Sequence, residues 1–273
     1  IGEREIVQSV RVHERCDTAV EIQPTLMTWF RQQATRQGAL SQTRGMVEEE
    51  IAVEMLRRGW TLVSPGNCWG DQGLGTGQVI SDFYTAPRWT RTFDRGAIEF
   101  TRTQTPEPGV LVAFGASGGG ARLTQLVLDE PDLFAALIFD SPNDYAWAAL
   151  STPYPGLFHL MNLMTGGELM PPFMESYLAA FYGDEAGAAA HSLGHRLGLD
   201  VRLDDVPITL AWVTEDGLLH HDAFSALDAA LQDPARYSNP LGQVLSYDSN
   251  EHCPIKDLPN LHPLILDWLD AAL

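Results

Sequence analysis

Apolar residues in this chain fall into short unbroken runs, and between several of the runs they recur at every third or fourth position. The unbroken runs read as strands buried on both faces: PTLMTWF (Pro24–Phe30), WTLVSP (Trp60–Pro65), GVLVAF (Gly109–Phe114), AALIFDSP (Ala135–Pro142), ITLAWV (Ile208–Val213) and QVLSY (Gln243–Tyr247). The spaced pattern reads as amphipathic helix. Between Gly45 and Gly59, the residues Met46, Val47, Ile51, Ala52 and Met55 share one face. Acids come early in that segment, two arginines come late and a glycine closes it, as the helix dipole favours. A second helix is predicted from Ala121 to a stop near Pro131, and a terminal one from His262. Strands alternating with helices predict an α/β fold whose mostly parallel sheet is covered on both faces.

One segment breaks this rhythm. Residues 145–205 are rich in Met, Phe, Tyr, Leu and Pro and carry the helical patches FMESYLAAFYG and AAAHSLGHRLG. Ligands bind beyond the carboxyl ends of strands in such sheets. The segment is therefore expected to be a helical cap between two parts of a core, residues 1–144 and 206–273. Ordinary helices packed on the sheet are the alternative. Met161 and Met164 are expected to line a substrate pocket under the cap, because such side chains make adaptable apolar walls.

Composition narrows the partners. The 273 residues are 45% apolar, enough for one large domain with a sizeable core. The formal net charge of −19 repels phosphate, so nucleic acid and anionic membranes are poor partners. Lys256 is the only lysine, and the acidity reads as a solvated surface. No apolar run approaches the ~20 residues of a membrane-spanning helix. The cysteines Cys16, Cys68 and Cys253 are too few and scattered for a disulfide framework or a zinc site. The odd count favours a reducing, cytoplasmic compartment. No signal peptide is visible, and secretion stays open because the chain starts at Ile1.

The segment with the most chemistry is VLVAFGASGGGARL. Gly115-Ala116-Ser117-Gly118-Gly119 fits G-x-S-x-G, follows a predicted strand and opens a predicted helix. A reversal this tight forces the central residue into strained backbone angles and requires small neighbours. It would leave the Ser117 hydroxyl at the carboxyl edge of the sheet, at a helix N-terminus, where developing negative charge is favoured.

Residues 109–142 resemble the nucleophile-elbow segment of the α/β-hydrolase superfamily, and PDLFAALIFDSP resembles the strand that follows that elbow helix. The resemblance runs, with gaps, from about Pro24 to the C-terminus. It implies an α/β-hydrolase fold with a mostly parallel central sheet flanked by helices, a serine nucleophile, no cofactor, and partners in the order serine, acid, histidine. Asp216, directly beyond ITLAWVTE, takes the acid position; His252, in SYDSNEHCP, takes the histidine position. Asn250 and Glu251 stand before it where small residues are common. Asp140, Asp222 and Asp248 are the other acids in range. His220 and His221 are placed to line the pocket, and His262 to cap a helix or face solvent. The resemblance also implies two oxyanion donors. The Gly118 N–H is one, and an N–H at Phe30 or Arg31 is the other, although Trp29-Phe30-Arg31 stands where the family often has His-Gly.

The loop SPGNCWGDQGLGTG (Ser64–Gly77) resembles the family's Asp-x-Arg-Gly-x-Gly loop, with Asn67 and Trp69 in place of the usual types. It is expected to be a turn-rich pocket wall to which Cys68 and Trp69 contribute. It lacks the lysine of a phosphate-binding loop and the spacing of a dinucleotide fingerprint. Neither Cys68 nor Cys253 sits on an elbow, which disfavours a thiol nucleophile. His191 and His195 stand four apart in HSLGH, but the glutamate of H-E-x-x-H is absent, so no metal is expected. The expectation is thus a serine hydrolase acting on a small acyl substrate with an apolar part. An amidase, peptidase or acyltransferase would use the same three residues. A non-catalytic binder on the same scaffold is the rival from another class. The sequence leaves a homo-oligomer open.

Overall fold

The structure, a computed structural model, describes residues 8–13, 24–30, 50–67, 94–103, 109–145, 147–148 and 182–273. Seven strands form one sheet: β1 (Gln8–His13), β2 (Thr25–Phe30), β3 (Thr61–Asn67), β4 (Leu111–Ala116), β5 (Ala136–Asp140), β6 (Ile208–Val213) and β7 (Gln243–Tyr247). Their spatial order is β1-β3-β2-β4-β5-β6-β7. The six strands from β2 onward pair in parallel, and β1 runs antiparallel to β3 at one edge.

The apolar runs form strands because neighbouring residues must face opposite layers, and both layers are covered. Along β4, Leu111 and Ala113 enter one core cluster while Val112 and Phe114 enter the other. Along β5, Leu137 and Phe139 join the first cluster, and Ala136 and Ile138 the second. The first face is covered by α2 (Arg95–Arg102), α3 (Gly118–Asp129), α5 (Leu193–Arg196) and α6 (Ser225–Gln232). The second is covered by α1 (Glu50–Arg57), α7 (Pro254–Asp257) and α8 (His262–Ala272). Phe139, Leu137, Ile138 and Leu123 are fully buried, each contributing about 1.5–3 kcal/mol. Between α2 and α3, the buried Arg122 guanidinium pairs with the buried Asp94 carboxylate, with Nε donating to Oδ2 at 3.2 Å.

Two features differ from the sequence reading. β1 was not expected: QSVRVH is polar and charged, as an edge strand can be. Of the loop expected over Ser64–Gly77, residues 64–67 are strand, and the rest lies outside the described residues. Pairing with β2 stops at Val63, but β1 carries β3 on through Ser64, Pro65, Gly66 and Asn67. Residues Leu193, Leu197 and Leu203, within the segment expected to form a cap, pack into the first core cluster. Between α4 (Glu185–Ala189) and α5, the Asp144 carboxylate accepts from Ser192 Oγ and from the Leu193 and Gly194 amides, as well as from Thr124 Oγ1 on α3. No helix among the described residues is long and apolar enough to cross a membrane.

Candidate active site

β4 ends at Ala116 and α3 begins at Gly118, leaving Ser117 alone to reverse the chain. Its angles are φ 52° and ψ −127°, in the left-handed half of the map that L-residues avoid. Such a conformation costs of order 1–3 kcal/mol and persists only where its surroundings over-determine it. They do so here. The Ser117 N–H donates to Asp140 O at 3.0 Å, and Ser117 O accepts from the Gly120 N–H at 3.0 Å and the Asn143 N–H at 2.9 Å. The neighbours must be small for helix and strand to close. A Cβ on Gly115 would come 3.0 Å from Gly120 Cα, and one on Gly120 would come 2.4 Å from Pro142 Cβ. Gly120 lies outside the five-letter motif, and its partner, Pro142, comes from the end of β5; only the folded chain reveals the contact.

The carboxyl ends of β6 and β7 supply the other groups. Asp216 lies three residues beyond β6, and His252 lies five beyond β7. His252 Nδ1 donates to Asp216 Oδ2 at 2.7 Å and to Oδ1 at 2.9 Å, and both side chains are buried. A carboxylate can only accept, so this contact puts the proton of a neutral imidazole on Nδ1 and makes Nε2 the nitrogen that carries the lone pair. Nε2 is buried and has no hydrogen-bond partner among the described residues. Asp216 Oδ1 also accepts from the Leu218 and Leu219 amides at 2.8 and 2.9 Å, which aims the carboxylate. The two halves meet at Asp140. Its carbonyl takes the Ser117 N–H and also the Cys253 thiol at 3.7 Å, one residue after His252. At the sheet's β2 side, Phe30 is in register with Ala116, the residue before Ser117.

No protein-family profile matches the sequence, and no curated protein sequence does. Solved structures do. Hypothetical protein PA2218 from Pseudomonas aeruginosa superposes with a TM-score of 0.60 at 14% identity, over 98% of this chain and 90% of that one. MGS-MChE2, an α/β hydrolase enzyme from the metagenome of lagoon sediments at Mar Chica, Morocco, gives 0.54 at 12% identity, over 98% and 99%. The α/β hydrolase domain-containing protein 10 from mouse gives 0.52 at 13%, over 99% and 96%. The chain has the α/β-hydrolase fold. These identities carry the fold and nothing finer.

Within this hydrolase fold the remaining candidates take other places. Asp140 is fully buried, and its Oδ1 accepts from the Ile255 N–H at 3.1 Å, while His252 Nδ1 is taken by Asp216. Asp248 accepts from Thr214 Oγ1, and Asp222 pairs at the surface with His220. His221 lies against Trp212, ring centroids 4.6 Å apart, and Nε2 pairs with Asp228. His262, expected at a cap or in solvent, is buried, and its Nε2 donates at 2.9 Å to the carbonyl of Ile255 in α7. His191 pairs with Gln125 and His195 with Ser192, and among the described residues no three His, Cys, Asp or Glu side chains are placed to hold a metal. Arg31, Cys68, Trp69, Met161 and Met164 lie outside the described residues. Burial and then the charge of Glu185, whose Oε1 accepts from the Tyr145 hydroxyl, push the Tyr145 phenol up to about 12.

Proposed function

We infer that this chain is a serine hydrolase that cleaves an ester or related acyl bond. The observation that carries the reading is the Asp216–His252 contact, together with the bonds that the strained Ser117 and Cys253, the residue after His252, both make to the Asp140 carbonyl. In this reading, Ser117 Oγ attacks the substrate carbonyl while His252 Nε2 takes its proton. Asp216 holds Nδ1–H and stabilises the imidazolium. The tetrahedral oxyanion is met by the Gly118 N–H, in the first turn of α3 where amides lack intrahelical acceptors, and by an N–H at the end of β2, at Phe30 or Arg31. Collapse expels the leaving alcohol with the proton returned by His252. Water, deprotonated by the same nitrogen, then cleaves the acyl-enzyme. The Met- and aromatic-rich residues 145–205 argue for an apolar acyl or aryl part.

The test combines a fluorophosphonate probe with a panel of esters and amides of varied chain length. Labelling at Ser117, and turnover lost in a folded Ser117→Ala variant, are the expected results. Full activity in that variant would reject the assignment. Amides cleaved as fast as esters would move it to an amidase, and acyl transfer to added alcohol in preference to water would move it to a transferase.

A further inference from the structure

Asp140 is a fully buried carboxylate that the catalytic scheme above leaves unused. Its surroundings give it a different task. Strand alternation turns its side chain away from Phe139 and toward the second core face, where Cys253 and Ile255 lie. There Oδ1 accepts the Ile255 N–H at 3.1 Å, across 115 positions of sequence. Ile255 is in the first turn of α7, whose amides lack intrahelical acceptors. The helix's own N-cap, Cys253, is left-handed (φ 68°) and supplies no side-chain cap, and Pro254 has no N–H to give. The cap thus comes from β5. The main chain of the same residue holds the elbow: Asp140 O accepts the Ser117 N–H at 3.0 Å and the Cys253 thiol at 3.7 Å. Among the described residues, the three non-glycine residues with positive φ are Ser117, Ser141 and Cys253. One is Asp140's sequence neighbour, and the other two bond to its carbonyl. Strain that clusters in this way marks a place where geometry is imposed by surrounding contacts.

We propose that Asp140 is a positioning residue: it clamps the His252–Ile255 turn to the Ser117 elbow and so sets the spacing of nucleophile and base. This rests on the reading of Ser117 and His252 as that pair. The carboxylate acts through its acceptor oxygen, and it touches neither substrate nor the reacting atoms.

The test compares Asp140→Asn, which keeps an acceptor at Oδ1, with the near-isosteric Asp140→Leu, which has none. Displacement of a catalytic group by about 1 Å costs about 100-fold in rate. The Leu variant should therefore lose about 100-fold in kcat with KM within about two-fold, and label with the fluorophosphonate correspondingly slowly. The Asn variant should stay within about five-fold of the parent. Equal labelling rates in the parent and the Leu variant overturn the clamp alone. A parent that does not label at Ser117 overturns the nucleophile reading and the positioning role with it. Should the Leu variant not fold, the Asn variant decides: a chain that melts like the parent yet has lost about 100-fold in kcat overturns the clamp, and one that keeps its rate supports it.

Discussion

Gly120→Ala adds a methyl group where Pro142 already stands. The new Cβ would lie 2.4 Å from Pro142 Cβ and 2.9 Å from its Cα. Carbon atoms in contact rest about 3.5–4.0 Å apart, so α3 and the turn after β5 must separate by about 1 Å. Two effects oppose each other. Alanine is the better helix former, by at most about 1 kcal/mol. Overpacking costs about 1–3 kcal/mol, and here neither side can yield freely: Gly120 N and Asn143 N both donate to Ser117 O. The clash therefore wins, for a net loss of about 1–2 kcal/mol. At about 2–4 °C per kcal/mol for a chain of this size, the melting temperature should fall by about 2–8 °C. Any relief passes through Ser117 O to the serine itself, so kcat should drop about 100-fold with KM nearly unchanged. Scanning calorimetry and initial rates on an ester that the parent hydrolyses measure both. A variant that melts at or above the parent temperature with its kcat intact would refute the packing argument.

Asp216→Asn keeps the volume and an acceptor for Leu218 and Leu219, but its amide donates toward His252 Nδ1 and forces the proton onto Nε2. The expected loss is about 10⁴-fold in kcat, read by steady-state kinetics on a variant with an unchanged circular-dichroism melt; a loss under ten-fold would count against Asp216. Arg122→Met removes the guanidinium from the buried Asp94 carboxylate and should cost about 1.5–3 kcal/mol in urea denaturation. A loss below about 0.5 kcal/mol would show that the pair adds little to stability.

The parallel strands and the elbow could be read from the sequence because both are local signals. Leu111–Phe114 and Ala136–Phe139 are apolar at successive positions since each faces a covered layer, and G-x-S-x-G states the demand for small residues around a tight reversal. Asp216 and His252 came from the resemblance to the α/β-hydrolase superfamily, which places an acid and a histidine after these strands, and their contact is a property of the sheet that brings those strand ends together. What stayed hidden depends on distant partners. The role of Gly120 needs Pro142, the burial of His262 needs Ile255 O, and the extension of β3 through Pro65-Gly66 needs β1, whose own polar sequence carries no strand signal. Asp140 was visible only as a competing acid, because nothing near it in sequence announces the Ile255 amide.

The pieces that meet around Asp140 are drawn from residues 117, 140 and 253–255, so the longest of these contacts closes a loop of more than a hundred residues. Closures of that span come late, after local helices and neighbouring strands have formed. During renaturation the chain will regain its far-ultraviolet spectrum first, and competence to turn over substrate will trail behind as a separate, slower event.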